Sequence, residues 1–200
     1  NADVPCGGQQ GPQCQSEDCL HVNIYCPLGA ASAPTLFWIY GGAFNEGMNW
    51  GPLPGADRSG LYDGANLAAT GGICVVAANY RLGVLGFLVL DDDAKGNQAI
   101  QDQRAAMQWT RDNIAAFGGD PAKVTLFGES AGGGVVTTLL GSPAAAGLFS
   151  AAIAQSSPAT SSYDTERARR VAARFLEVLD LGTGDLDRLH ELPTQAVVEA

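Results

Sequence analysis

The chain has 200 residues, of which 46% are hydrophobic and 16% charged, so it can bury a core and is not a disordered protein. Its net charge of −10 argues against binding to nucleic acid or to an anionic membrane surface, because both need a basic face. No apolar run approaches the roughly 20 residues of a transmembrane helix, and no signal peptide is recognised at the first residues.

Cysteines crowd the beginning of the chain. Four of the five lie within the first 26 residues, namely Cys6, Cys14, Cys19 and Cys26. Their spacing contains no C-x-x-C pair and only His21 lies nearby, so we predict no metal site. One or two disulfides among these four are expected, which favours a secreted protein, with reduced cytosolic thiols as the alternative.

Five short segments are predicted as β-strands. Each is apolar or β-branched, and Gly, Pro or Asp residues bound them. They cover residues 21–25, 35–40, 73–78, 123–127 and 151–154. The second, third and fourth are nearly continuous apolar runs, which is typical of strands that are covered on both faces.

Helices are predicted between and after the strands. Residues 98–117 carry apolar side chains at spacings of three, four and seven, and Gly118-Gly119 ends the pattern. Further helical stretches cover residues 132–141, 164–179 and, as an amphipathic segment, 185–192. Alternating strands and helices predict an α/β fold, a mostly parallel sheet with helices on both faces, in one domain over residues 1–200. In such sheets the functional site lies at the carboxyl ends of the strands.

The sequence G-E-S-A-G at 128–132 follows the predicted strand 123–127 and opens a predicted helix. The G-x-S-x-G motif of serine hydrolases requires this strand–turn–helix context. Ser130 must occupy a sharp turn, where a Cβ atom on Gly128 or Gly132 would collide with the neighbouring strand and helix. The helix dipole would then stabilise an anion that develops beside Ser130. An ordinary glycine-rich turn is the alternative interpretation.

A second glycine-rich turn, G-G-A-F at 41–44, follows the predicted strand 35–40. Small residues let backbone N–H groups approach a ligand, and serine hydrolases of this architecture take further oxyanion donors from this position. Together with the turn at 128–132, the pattern favours an oxyanion site over a plain turn. No G-x-G-x-x-G follows a strand, which argues against dinucleotide binding, and no cofactor is expected.

A series of motifs in one order resembles the type B carboxylesterase family, the α/β-hydrolases that include cholinesterases and several fungal lipases. The matching segments are S-E-D-C-L at 16–20, N-I-Y at 23–25, W-I-Y-G-G-A-F at 38–44, N-Y-R-L-G at 79–83, G-F at 86–87, G-N at 96–97, D-Q at 102–103, W at 109, N-I at 113–114, F-G-G-D-P at 117–121 and V-T-L-F-G-E-S-A-G-G at 124–133. The resemblance covers residues 16–156 and implies an α/β-hydrolase fold and a serine carboxylic ester hydrolase.

The resemblance also implies site residues. Ser130 matches the nucleophile that is acylated. Three positions match the backbone N–H donors of the oxyanion hole, and the one with Ala in place of the commoner Gly keeps its N–H: Gly42, Ala43 and Ala131. Glu129 matches a carboxylate near the acyl site, although a solvated turn residue is the alternative. Ser156 matches a serine that supports the triad acid.

Other matched positions have structural roles in the family. Arg81 and Asp102 match an ion pair. Cys19 matches a cysteine that closes a loop with an upstream partner, so we expect it to pair with Cys6 or Cys14. Cys26 is then expected to pair with the remaining one of these. Cys74 is expected to be free and buried, because its predicted strand is apolar and no partner is near in sequence.

The triad acid and histidine follow the nucleophile on this fold. Only 70 residues follow Ser130, and the histidines are His21, which precedes it, and His190 in the segment 185–192. Family members are more than twice this length, so we interpret the chain as an internal part of an esterase. The acid and histidine are expected beyond residue 200, and the isolated chain is expected to be nearly inactive. A compact hydrolase that uses Ser130, Asp185 and His190 is the alternative.

A cholinesterase-like adhesion or binding domain without catalysis is a second candidate function. Such domains often lose the nucleophile, whereas Ser130 and its flanking glycines are intact here. Cholinesterases bind the choline cation through a Trp in the loop between their first disulfide's cysteines, and the segment 6–19 contains none. The expected partner is therefore a small-molecule ester or a lipid ester.

Overall fold

The computed structural model describes residues 16–50, 61–90, 96–158 and 162–200. The chain divides into two compact units. Of the described residues, the sheet unit comprises 20–50, 61–80 and 100–158, and the helical unit comprises 16–19, 81–90, 96–99 and 162–200. The single domain over 1–200 stays a prediction.

The sheet unit contains a five-stranded sheet in the order β1-β3-β2-β4-β5. The strands are β1 Val22–Tyr25, β2 Ala33–Ile39, β3 Cys74–Ala78, β4 Gly119–Glu129 and β5 Ala151–Gln155. β1 runs antiparallel to β3, and the other neighbouring pairs are parallel. All five predicted strands are confirmed. β4 begins earlier and ends later than expected, because it pairs with β2 from Ala33 to Ile39.

The core lies around the three central strands. All five residues of β3 are buried, as expected for a strand that is covered on both faces. Gly64, which precedes helix α1 (Ala65–Gly71), lies against the Val75 side chain. Ile114 lies near the Cys74 sulfur, because both approach Gly119 closely. Since consecutive strand residues point to opposite faces, helical segments cover both faces of the sheet.

The predicted helix 98–117 consists of α3 (Gln98–Asn113) and a terminal 3₁₀ turn, Ile114–Phe117. Gly118 ends it with a φ of 90° and donates its N–H to the carbonyls of the last turn. A Cβ atom on Gly119 would lie 2.5 Å from the Ile114 side chain, so a larger residue at the start of β4 would require the buried Ile114 to move. Helix α4 (Ala131–Leu140) follows β4 directly, and a 3₁₀ turn covers Pro143–Ala145.

The helical unit contains α2 (Gly83–Phe87), α5 (Thr165–Val178), α6 (Leu186–Glu191) and α7 (Thr194–Glu199). The Asp164 carboxylate caps α5 by accepting the Arg167 N–H at 2.7 Å. Phe175, Leu176 and Val197 form its buried centre. α5 and α6 confirm the predicted helical stretches, whereas α1, α2 and α7 are too short to give a periodic signal. No helix in the described ranges is long and apolar enough to cross a membrane.

The prediction for Cys26 and Cys74 was wrong, because these two residues form a disulfide. β1 and β3 are antiparallel, and Tyr25 lies opposite Val75. This register brings the residue after Tyr25 against the residue before Val75. The two cysteines are 48 residues apart in sequence, so only the strand pairing reveals them as partners. Cys6 and Cys14 lie outside the described residues, and the pairing of Cys19 with one of them stays a prediction.

Candidate active site

Ser130 lies in a strained turn between β4 and α4. Its φ of 55° and ψ of −122° are unusual for a residue with a side chain. The Ser130 N–H donates to the Gln155 carbonyl at 2.9 Å, and the Gly134 N–H donates to the Ser130 carbonyl at 3.0 Å. The turn is therefore bonded to the end of β5 on one side and to the first turn of α4 on the other.

The glycines on either side of Ser130 are required by backbone contacts. A Cβ atom on Gly128 would lie 2.6 Å from the carbonyl carbon and oxygen of Gly132. A Cβ atom on Gly132 would lie 2.1 Å from the Ile39 carbonyl oxygen in β2. These contacts are with main-chain atoms, so repacking of side chains could not relieve them. The steric cause of the G-x-S-x-G pattern is thus present in the fold.

Helix α4 presents its first turn beside Ser130. Because the Ser130 carbonyl accepts the Gly134 N–H, the three preceding N–H groups have no acceptor within the helix. They belong to Ala131, Gly132 and Gly133, all of which are buried. The positive end of the helix dipole lies at the same point. This arrangement can stabilise negative charge next to Ser130.

The second glycine-rich turn contacts the first. A Cβ atom on Gly41 would lie 3.0 Å from Ser130 Cβ and 2.7 Å from the Glu129 carbonyl oxygen. Three consecutive residues have a positive φ: Gly42 at 119°, Ala43 at 54° and Phe44 at 65°. The Glu46 N–H donates to the Gly42 carbonyl at 3.1 Å and closes the turn. The structure thus places the two predicted turns against each other.

Glu129 and Tyr62 lie next to the Ser130 turn. Glu129 is exposed, and its Oε2 atom would lie 3.2 Å from a Cβ atom on Gly41. Burial, followed by the negative charge of Glu129, raises the pKa of the Tyr62 hydroxyl. The Tyr62 ring contacts Trp38, with 5.1 Å between the ring centroids. The carboxylate therefore borders the site and is flanked by an aromatic side chain.

Ser156 follows β5 directly and is exposed, with a φ of 49°. Glu129 lies opposite Gln155 in the parallel pairing of β4 with β5. Ser130 and Ser156 are therefore the next residues of two neighbouring strands, at the carboxyl edge of the sheet. The role of Ser156 in supporting a triad acid stays a prediction.

The remaining predicted residues lie on other elements of the chain. Asp102 is buried in α3 of the sheet unit, whereas Arg81 belongs to the helical unit, and their pairing stays a prediction. Asp185 and His190 lie at α6 in the helical unit. The Asp185 carboxylate accepts the Gly182 N–H at 2.8 Å. Among the described residues, no cluster of His, Cys, Asp and Glu could hold a metal ion.

Sequence patterns missed the residues that hold the second glycine-rich turn in place. Tyr40 and Tyr80 are almost completely buried, and their rings stack with 4.5 Å between centroids. Asn49 is a buried polar residue in the loop that follows the turn. Both tyrosines lie within matched motifs, but their pairing depends on the juxtaposition of β2 and β3, which no local pattern shows.

Comparison with known proteins identifies similar chains. The profile of the carboxylesterase family matches residues 3–192. Para-nitrobenzyl esterase of Bacillus subtilis (strain 168) is 45% identical over 190 residues, which cover 93% of this chain and 37% of that protein. Bile salt-activated lipase of Homo sapiens is 46% identical over 152 residues, which cover 74% of this chain and 20% of that protein.

Solved structures agree with these matches. The crystal structure of the Geobacillus stearothermophilus carboxylesterase EST55 superimposes with a TM-score of 0.85 at 40% identity, covering 95% of this chain and 41% of that one. The chain therefore spans less than half of the length of each of these relatives.

Proposed function

The chain belongs to the carboxylesterase family and has its α/β-hydrolase fold, and from this we propose that it carries the nucleophile and the oxyanion donors of a serine carboxylic ester hydrolase. The observation that carries the proposal is the contact between two strained turns. The turn 41–44 lies so close to the Ser130 turn that a Cβ atom on Gly41 would be 3.0 Å from Ser130 Cβ, at the carboxyl edge of a mostly parallel sheet. One turn supplies a hydroxyl group, and both supply backbone N–H groups.

The proposed reaction begins with attack of Ser130 Oγ on the ester carbonyl carbon. A base removes the hydroxyl proton, and the carbonyl oxygen becomes an oxyanion. The N–H groups of Gly42, Ala43 and Ala131 donate to that oxyanion. The intermediate then expels the alcohol, which takes up the proton, and leaves the acyl group on Ser130. Water hydrolyses this acyl-enzyme, regenerating the serine hydroxyl and releasing the carboxylic acid.

We place the general base and the triad acid outside residues 1–200. On this fold the triad histidine follows the nucleophile in the chain, whereas His21 precedes it, just before β1; His190 lies on α6. The Asp185 of the compact alternative already bonds the Gly182 N–H. His190→Ala should therefore leave turnover by the product of the complete gene unchanged. Abolished turnover in a variant that stays folded would favour the compact triad.

The substrate we propose is an uncharged carboxylic ester with an alkyl or aryl alcohol, including lipid esters. The segment 6–19 contains no aromatic residue whose ring could bind a cation. Glu129 sits beside the proposed acyl site, and its negative charge disfavours esters of anionic acids. We also propose an oxidising, extracellular compartment, which the Cys26–Cys74 disulfide supports.

A covalent label tests the assignment of the nucleophile. The product of the complete gene is treated with a fluorophosphonate, which forms a stable bond only with an activated serine, and the labelled peptide is identified by mass spectrometry. We expect the label on Ser130 and none in the Ser130→Ala variant. Absence of labelling in a folded protein would instead favour the noncatalytic binding domain.

A further inference from the structure

The side-chain hydroxyl of each of Tyr40 and Tyr80 is hydrogen-bonded to the main chain of the other residue. The Tyr80 hydroxyl donates to the Tyr40 carbonyl at 2.9 Å, and the Tyr40 hydroxyl donates to the Tyr80 carbonyl at 3.3 Å. Burial raises the pKa of the Tyr80 hydroxyl, so this group remains protonated and can donate at every working pH. The Tyr40 carbonyl belongs to the peptide bond that leads into Gly41. The Tyr80 hydroxyl therefore fixes the peptide at which the glycine-rich turn begins.

Asn49 holds the other end of the same loop. Its N–H donates to the Asn79 side-chain oxygen at 2.7 Å. Its own side chain donates to the carbonyls of His21 and Ala77, each at 3.1 Å, and accepts from the Asn23 side chain at 3.3 Å. Asn49 is 5% exposed, and its bond to the Ala77 carbonyl is buried. The loop therefore returns to the sheet through bonds to β1 and to the end of β3.

From these contacts we infer that Asn79 and Tyr80, two consecutive residues after β3, are positioning residues that clamp both ends of the loop 41–48. The inference rests on the proposed function, because it concerns the oxyanion donors of that loop. Tyr80 bonds the main chain at Tyr40, just before the loop, and Asn79 bonds the main chain at Asn49, just after it. Both originate from one rigid point, because β3 is buried along its whole length.

The loop needs such a clamp because its backbone is strained. Ala43 and Phe44 have positive φ values, which each cost free energy that the surroundings must supply. A loop released at either end would relax toward ordinary φ values and move the N–H groups of Gly42 and Ala43. Those groups act only if they point at the oxyanion, which exists in the transition state but not in the bound ester.

Tyr80→Phe tests the inference, because it removes one hydroxyl and keeps the stacked ring. In the product of the complete gene, kcat for a p-nitrophenyl ester should fall about 10- to 100-fold, less than or similar to the loss of a whole oxyanion donor. KM should change by less than about threefold, since the ground state does not use the hole. The inhibition constant of a phenyl trifluoromethyl ketone, which forms a tetrahedral oxyanion with an activated serine, should weaken by the same factor as kcat.

Matched variants separate positioning from packing. Tyr40→Phe removes a hydroxyl that donates to the Tyr80 carbonyl at 3.3 Å and accepts the Tyr80 N–H at 3.4 Å. It keeps the bond to the Tyr40 carbonyl, so its loss of kcat should be smaller. Tyr25→Phe alters a tyrosine on β1 and should leave kcat unchanged. Equal losses in Tyr40→Phe and Tyr80→Phe, or an unchanged ketone affinity in Tyr80→Phe, would overturn the clamp.

A second variant covers the case in which Tyr80→Phe does not fold. Asn79→Ala removes the acceptor of the Asn49 N–H and should reduce kcat and ketone affinity in the same parallel way, with KM again nearly constant. Unchanged ketone affinity would contradict the clamp at this end. Fluorophosphonate labelling of the unmutated protein keeps the two proposals apart: absent labelling refutes the esterase, whereas normal labelling with full ketone affinity in the variants refutes the clamp alone.

Discussion

Replacing Gly42 by Val should displace the loop that faces Ser130. Gly42 has a φ of 119°, and a Cβ atom on it would lie 2.0 Å from the Glu46 carbonyl oxygen. An ordinary van der Waals contact begins at 3.4 Å, so the main chain at Gly42 and at Glu46 must move apart by more than 1 Å. A misplacement of about 1 Å at a reacting centre costs roughly 10²-fold in rate. Loss of one oxyanion donor costs about 10² to 10³ in kcat.

We therefore expect kcat of the Gly42→Val variant to fall about 10²- to 10³-fold for a p-nitrophenyl ester, with KM much less affected. The assay uses the product of the complete gene, with thermal unfolding measured in parallel. Gly29→Val is the matched control, because Gly29 has a φ of 74° but no heavy atom within 4 Å of a Cβ position. It should lose about 1 to 2 kcal/mol of stability for the left-handed conformation and keep its kcat. A folded Gly42→Val variant with unchanged kcat would show that the loop does not serve Ser130.

Three further outcomes are expected. Ser130→Ala should lower ester turnover by at least about 10³-fold, because an acyl-enzyme can no longer form; retention of most activity would refute the assignment of the nucleophile. Replacing both Cys26 and Cys74 by Ala should lower the free energy of unfolding by about 4 kcal/mol, because the disulfide no longer restricts a loop of 48 residues in the unfolded chain. Denaturant titration of the variant and of the oxidised protein measures this difference. An unchanged denaturant midpoint of unfolding would refute the pairing. Hydrogen bonds, first from Lys123 and then from the main chain, lower the pKa of the half-buried Asp120 from 3.8 to about 2. Its stabilising effect is therefore present above about pH 4 and lost as the pH falls toward 2. Asp120→Asn should remove that part of the acid dependence, and an unaltered acid unfolding curve would contradict it.

Local patterns predict the strands because their cause is local. A short apolar run between turn residues has few alternatives to a buried strand, and β2, β3 and β4 confirm this. The 3₁₀ turn at Ile114–Phe117 is not predicted, because the periodicity continues through it and only the path into β4 tightens the last turn. Helices of five to seven residues, such as α1 and α2, are held by their contacts rather than by a periodic face.

Pairings between distant residues do not follow from local patterns. The prediction for Cys26 and Cys74 was wrong because spacing favours the nearer cysteines, whereas the partner is set by an antiparallel register. The mutual bonds of Tyr40 and Tyr80 have the same origin, since β2 and β3 are parallel neighbours and end at the same edge. A motif match marks both tyrosines without indicating what they do.

The glycines of the site, in contrast, are visible in the amino-acid sequence although contacts with the main chain of other residues require them. Gly41, Gly42, Gly128 and Gly132 each have a main-chain carbonyl group of another residue within 3.0 Å of the position of a Cβ atom. A side chain can change its rotamer to make room, but a strand or a closed turn cannot shift without losing hydrogen bonds. Each of these positions is therefore restricted to glycine by main-chain atoms, and at Gly41 those atoms belong to the Ser130 turn. The glycine pattern in the amino-acid sequence therefore marks both turns, and on it rests our proposal that Ser130 is the nucleophile and that the loop 41–44 faces it.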